Sequence, residues 1–180
     1  MTPERAKLLK ELLEEIAEKE NGYIPAEAWH SFHKVVSIPY CEVAVVTKHN
    51  SEWQILLGRV RPNDPDFPGD PWEIMGGMWK PHFKNQEEIC MDIAQREMGV
   101  RIKNVQEIKT VKWLVARGNG ISHICLAEID EAGPKLFQHD RKKFFSFAEL
   151  PRPLAPYHSE FLEICRTFLQ SGAYSAGDDM

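Results

Sequence analysis

The chain has 180 residues, 43% apolar and 27% charged, with a formal net charge of −5. That length suits one domain with short terminal additions, enough to bury about 70% of the unfolded surface. The balance excludes collagenous, coiled-coil and disordered classes. The lack of a basic stripe argues against a nucleic-acid partner, and no apolar run reaches the roughly 20 residues that cross a bilayer.

Thr2-Pro3-Glu4 reads as a helix start, with a capping hydroxyl, a first-turn proline and an acid against the dipole. Leu8, Leu9, Leu12, Leu13 and Ile16 follow as one apolar stripe, and Asn21-Gly22 ends it. This helix is expected to pack on the domain or on a second subunit, which leaves a homodimer open. A second short helix runs from Pro25 to about Lys34. Residues 40–47 and 53–58 form β-branched and apolar strands around the turn His49–Glu52. Arg61–Pro71 holds four prolines, three aspartates and a glycine, so it is a loop. A loop that long inside a domain suits a substrate-facing role.

Trp72–Met75 is a short strand running into Gly76-Gly77, where glycines allow a sharp turn. Asn85 caps a helix over Gln86–Met98, and Gly99 ends it. Strands at 105–115 and 121–129 are joined across Arg117–Gly120, a strand covers Lys143–Phe147, and a closing helix covers Tyr157–Leu169. Residues 1–34 read as a helical extension, 35–170 as one α/β domain, and 171–180 as a small, polar, flexible tail.

Cys41, Cys90, Cys125 and Cys165 are widely spaced among apolar neighbours, without a Cys-x-x-Cys pair. They read as buried free thiols in a reducing cytoplasm, with no zinc site or disulfide framework. The N-terminus is charged and lacks the apolar core of a signal peptide.

On the helix 86–98, Cys90, Ile93, Ala94 and Glu97 share the inward face. A carboxylate there needs a partner: Mg²⁺ on a diphosphate, a backbone group or an arginine. Asp92 and Arg96 lie on another face, where an i,i+4 ion pair contributes about 0.3 kcal/mol. Arg59 and Arg61 flank the long loop and suit a diphosphate, because guanidinium matches phosphate in bidentate fashion. His82 and His158 are further phosphate candidates, and Trp79 or Trp113 suit stacking on a base.

Trp72-Glu-Ile-Met-Gly-Gly77 resembles the strand and glycine pair that open a Nudix box. In that box a glycine, five residues, a glutamate and seven residues precede Arg-Glu-x-x-Glu-Glu-x-Gly. Arg96-Glu97-Met98-Gly99-Val100 is similar to its end, and the anchoring puts Lys84, Ile93 and Arg96 where the family carries acids, so that only Glu97 is retained. The resemblance implies an α/β/α sandwich around a mixed sheet, with the N-terminal helix added. Within the family, GDP-mannose mannosyl hydrolases also have an incomplete box, and Gln138-His139-Asp140, Phe144 and Ala148-Glu149-Leu150 are similar to their segment. That branch implies Mg²⁺, or Mn²⁺ in its place, held by a carbonyl of Gly76 or Gly77, by Glu97 and by Gln138, with His139 as general base. A nucleotide sugar is then the substrate. The alternative is a Nudix-fold binding or regulatory module that has lost catalysis.

Overall fold

The computed structural model describes residues 1–18, 26–64, 67–80, 82–115, 118–132 and 140–174. They form two compact units. The larger spans Pro39–Trp113 and Ile121–Met180, and the smaller Met1–Ile38 with Leu114–Gly120.

The larger unit is built on a seven-stranded mixed sheet. Its strands are β1 (Ile38–His49), β2 (Glu52–Arg59), β3 (Trp72–Glu73), β4 (Met75–Met78), β5 (Val100–Val115), β6 (Gly118–Ala132) and β7 (Lys142–Ser146). The order is β3-β2-β1-β6-β5, with β4 on β1 and β7 on β2. The pairings of β1 with β2 and β4, and of β2 with β3 and β7, are antiparallel. Helix α3 (Gln86–Ile93) covers one face and α4 (His158–Gln170) the other.

That two-sided cover explains the apolar run Val43–Val46 in β1. Cys41, Val43 and Val45 pack with Ile89, Cys90 and Ile93 of α3, while Ala44 and Val46 meet Phe161, Leu162 and Cys165 of α4. A strand buried on both faces needs apolar residues at successive positions. The expected α/β/α layering is thus present in this unit. Strands β5 and β6 run longer than their apolar stretches suggested.

Asn85 caps α3 as expected, its Oδ1 accepting from Glu88 N at 2.9 Å, and Lys84 N donates to Glu88 Oε2 at 2.9 Å. The helix does not continue as α-helix to Met98. Ala94–Met98 form a π-helical turn closed by Gly99, at φ +73°, whose N–H reaches the carbonyls of Ala94 and Gln95. Such turns insert one residue into the helical register and re-aim the side chains they carry.

Residues 171–174 do not fit the expected flexible tail. Tyr174 is buried, its ring 5.9 Å from that of Trp53, and its hydroxyl donates to Asn104 O at 3.0 Å. One aromatic among small polar residues anchors that stretch, and 175–180 lie outside the described residues.

In the smaller unit, α1 (Pro3–Glu18) begins at the predicted cap, Arg5 N donating to Thr2 Oγ1 at 3.4 Å. Helix α2 (Ala26–Val35) carries the buried His33 against Trp29, with ring centroids 5.5 Å apart. Asn119 Nδ2 donates to Lys34 O at 3.3 Å. The predicted stop at Asn21-Gly22 lies outside the described residues.

Candidate functional site

A cleft of about 540 Å³ opens in the larger unit, a size suited to a nucleotide-sized ligand. Its walls are the end of β2, the loop after it, β3 and β4, the π-helical turn, and the start of β7 with the preceding Arg141. Strand alternation puts Trp72 and Ile74 in the core, whereas Glu73 and Met75 face the cleft. The loop brings Arg61, Pro62, Asp64 and Phe67, so the substrate-facing reading of this segment has a geometric basis.

The loop's far end is tied down by arginines. Arg141 grips Asp70 with Nη1 at 3.1 Å from Oδ2 and Nη2 at 2.6 Å from Oδ1, and Nη2 also donates to Val60 O. Arg59 donates from Nη1 to Asp70 O at 2.6 Å and lies 4.3 Å over the Trp72 ring. The Arg141 guanidinium holds the Asp70 carboxyl below its ordinary range, and the charge of Arg59 adds to this.

The third wall is the end of the box helix. Glu97 lines the cleft, and its Oε1 accepts from Arg96 Nε at 2.8 Å. The expected Asp92–Arg96 ion pair is present. Its reading as a purely outward feature needs correcting, since Arg96 also lines the cleft, and a Cβ added to Gly77 would sit 3.4 Å from Arg96 Nη2. The π-helical turn accounts for this, because an α-helical wheel misplaces a residue beyond the inserted one.

Of the predicted residues, Arg59, Arg61, Gly76 and Glu97 meet at one cleft. Gly77 is not part of that wall; it faces Ile93. His82 stays away from it, exposed and 4.1 Å from the Phe83 ring. Gln138 and His139 lie outside the described residues. His158 is structural: buried, it accepts at Nδ1 from Ile74 N at 3.0 Å. Trp79 packs edge-on to His123 at 5.4 Å, and Trp113 donates from Nε1 to Ser122 Oγ at 2.8 Å.

The glycine pair also departs from expectation. Gly76 and Gly77 lie inside β4, opposite Glu42 and Cys41 of β1, rather than at a sharp turn. A Cβ at 76 would overlap the Glu42 carboxylate, so any larger residue there forces that buried group to move. Glu42 is buried, and its Oε1 accepts from Ser122 Oγ at 3.1 Å, which extends a hydrogen-bonded chain from Trp113.

Sequence reasoning missed Glu73, Arg96, Arg141 and Lys142. Alternation about Trp72 and Ile74 was the available signal for Glu73, and the two residues after Asp140 gave none. The cleft carries five cationic side chains (Arg59, Arg61, Arg96, Arg141, Lys142) against three carboxylates (Asp64, Glu73, Glu97). Asp70 and Asp92 pair with Arg141 and Arg96 beside it, so the local charge is near balance, and it is the guanidinium geometry that suits a phosphate-bearing ligand. Glu73 and Glu97 both line the cleft and are hard oxygen donors of the kind Mg²⁺ takes together with substrate phosphates.

Elsewhere, three cysteines far apart in sequence converge. The Sγ of Cys41 lies 3.3 Å from that of Cys90 and 3.7 Å from that of Cys125, all fully buried. All four cysteines are free and buried, as expected. Among the described residues no helix is long and apolar enough to cross a membrane.

No family model matches the sequence, and no curated protein matches it. Solved structures do. NrtR of Shewanella oneidensis aligns with a TM-score of 0.65 at 20% identity, over 76% of this chain and 65% of the NrtR chain, so this chain spans less than two thirds of that protein. The NUDIX domain of NrtR, solved with ADP ribose, aligns at 0.61 and 17% identity over 81% of this chain and 99% of that one. A MutT NUDIX hydrolase from Burkholderia pseudomallei aligns at 0.56 and 20% identity over 71% and 97%. NrtR has also been solved with a 27mer DNA, so the expected exclusion of nucleic acid gains no support. The likeness likewise gives the mannosyl hydrolase branch no support of its own. What it establishes is the architecture: this chain has the Nudix hydrolase fold.

Proposed function

We propose that the chain hydrolyses a nucleoside-diphosphate-linked compound, most specifically a nucleotide sugar of the GDP-mannose kind. The observation that carries this reading is the meeting of Arg59, Arg61, Arg96 and Glu97 at one nucleotide-sized cleft. Guanidinium groups grip the diphosphate. Glu97, with Glu73 and a carbonyl of Gly76, would hold Mg²⁺ or Mn²⁺, and Gln138 would complete the set on the strength of the family resemblance. Bound there, such an ion would supply charge neutralisation for the departing diphosphate. His139 takes the proton of the attacking water, a task suited to an imidazole with a pKa near 6.5. One metal suffices when water attacks the anomeric carbon, which agrees with the loss of acids at positions 84, 93 and 96. The body at 35–170 carries the reaction in a reducing cytoplasm, a setting that suits four free thiols.

The second reading is a nucleotide-binding regulatory module, favoured by Arg96 at an acid position. Incubation with Mg²⁺ and a panel of nucleotide sugars, dinucleotides and nucleoside triphosphates separates the two. A nucleoside diphosphate with free sugar supports attack at carbon. A nucleoside monophosphate means attack at phosphorus and removes His139 from its role. Tight nucleotide binding without any product supports the regulatory module.

A further inference from the structure

We propose that α1 pairs with α1 of a second copy of this chain, antiparallel, through its leucine stripe. Leu8, Leu9, Leu12 and Leu13 are 56%, 44%, 47% and 41% exposed, and no described side chain of α1 is buried. A helix of 16 residues standing alone in water is marginal. A stripe of this kind is what a packed helix buries.

The charges identify the occupant. The first half, Pro3–Lys10, carries Arg5, Lys7 and Lys10 against Glu4 alone, and the second half, Glu11–Glu18, carries four glutamates and no cation. This order opposes the helix's own dipole, which favours acids at the N-terminus and bases at the C-terminus. The intrahelical pairs Lys7–Glu11 at 3.9 Å and Lys10–Glu14 at 3.5 Å are exposed and offset little of that. A parallel copy would set the four glutamates beside their own duplicates. An antiparallel copy sets the acidic half beside the partner's basic half and its positive helix end, while the basic half meets the partner's negative end. The unfavourable order within one helix becomes favourable between two. The contact is short, so association depends on concentration between about 1 μM and 1 mM.

Sedimentation equilibrium on the full chain tests the idea. The expected result is a shift from 20.7 kDa toward twice that mass with concentration. It should be abolished in the Leu9→Asp/Leu12→Asp variant and weakened at least tenfold by Lys7→Glu/Lys10→Glu. Orientation is read by mild oxidation of Glu4→Cys and Glu18→Cys proteins, the four native thiols being buried. The mixture should cross-link between positions 4 and 18, and neither protein with itself. Self-cross-linking through position 4 would overturn the antiparallel arrangement. A chain that stays monomeric, or a dimer that survives the double aspartate variant, would overturn self-pairing and assign the stripe to the chain's own surface or to another partner.

Discussion

Arg96 and Glu97, neighbours in the π-helical turn, are bonded to each other, Nε to Oε1 at 2.8 Å, on the wall of the cleft. One is a phosphate-binding type and the other a metal-binding type, and in this pair each occupies the other. A diphosphate that takes the guanidinium frees the carboxylate. Nucleotide and Mg²⁺ should therefore bind with positive coupling. Replacing Arg96→Met should raise Mg²⁺ affinity measured without nucleotide, and lower nucleotide affinity measured without Mg²⁺ by about tenfold, the loss of one charge-assisted pair. Calorimetric titrations of both ligands read the two effects separately. Equal Mg²⁺ affinity in variant and parent would show that the pair does not mask Glu97. Glu97→Gln should cut turnover at least tenfold, and since Glu97 is partly exposed its cost in stability should stay within about 0.5 kcal/mol.

Gly76 gives a prediction about stability. A methyl at this position collides with the Glu42 carboxylate, which is buried and bonded to Ser122. Gly76→Ala should cost about 1–3 kcal/mol, the range for an overpacked core. In the Glu42→Ala background the same change should cost much less, because the obstacle is gone. A double-mutant cycle in urea measures this, and strict additivity would mean that the contact is relieved some other way.

The fold was legible where one physical rule governed a segment. The apolar run at 43–46, the Asn85 cap and Gly99 at φ +73° each appear where hydrophobic pattern or capping chemistry put them. The site was legible only in part. Glu97 was found because it lies on the stripe of Cys90 and Ile93, but Arg96 was assigned outward by a helical wheel that the π-helical turn makes inapplicable. The glycine pair was noticed, yet its need for Glu42 is a cross-strand contact between residues 34 positions apart. Arg141 and the meeting of Cys41, Cys90 and Cys125 are likewise products of tertiary packing, which no local pattern encodes.

The thiols yield a kinetic prediction. Hydrogen bonds to Cys125 and Cys90, together with burial, push the Cys41 thiol up and burial pushes Cys165 up to about 12, whereas the hydrogen bonds from Cys41 and Cys90 pull Cys125 down. Reaction needs access as well as thiolate, and all four sulfurs are buried, so none should react in the folded chain, Cys125 included. An aromatic disulfide reagent at pH 8 should find no fast thiol in the native protein and all four in denaturant. Native labelling should follow the rate of opening, independent of reagent concentration once opening limits it. A fast native thiol would show that α3 lifts from β1 more readily than its packing indicates.

Asp70 supplies the pH dependence. Its folded pKa lies below the unfolded value of about 3.9, held there chiefly by Arg141. A depressed carboxylate pKa contributes stability that is fully present above the unfolded value and is lost as pH falls through the folded one. The pair is partly exposed, so the effect is modest and salt weakens it. It is nonetheless local, because Asp70 joins Arg141 and Arg59 to the end of the loop that lines the cleft. Asp70→Asn should be less stable than the parent at neutral pH, with the gap closing below about pH 4 as Asp70 itself becomes neutral in the parent. Proteolysis within Arg61–Pro71 should speed up in the variant at neutral pH and in the parent only on acidification. A gap between the two proteins that is unchanged down to pH 2.5 would mean that Asp70 holds the loop by shape and hydrogen bonding rather than by charge.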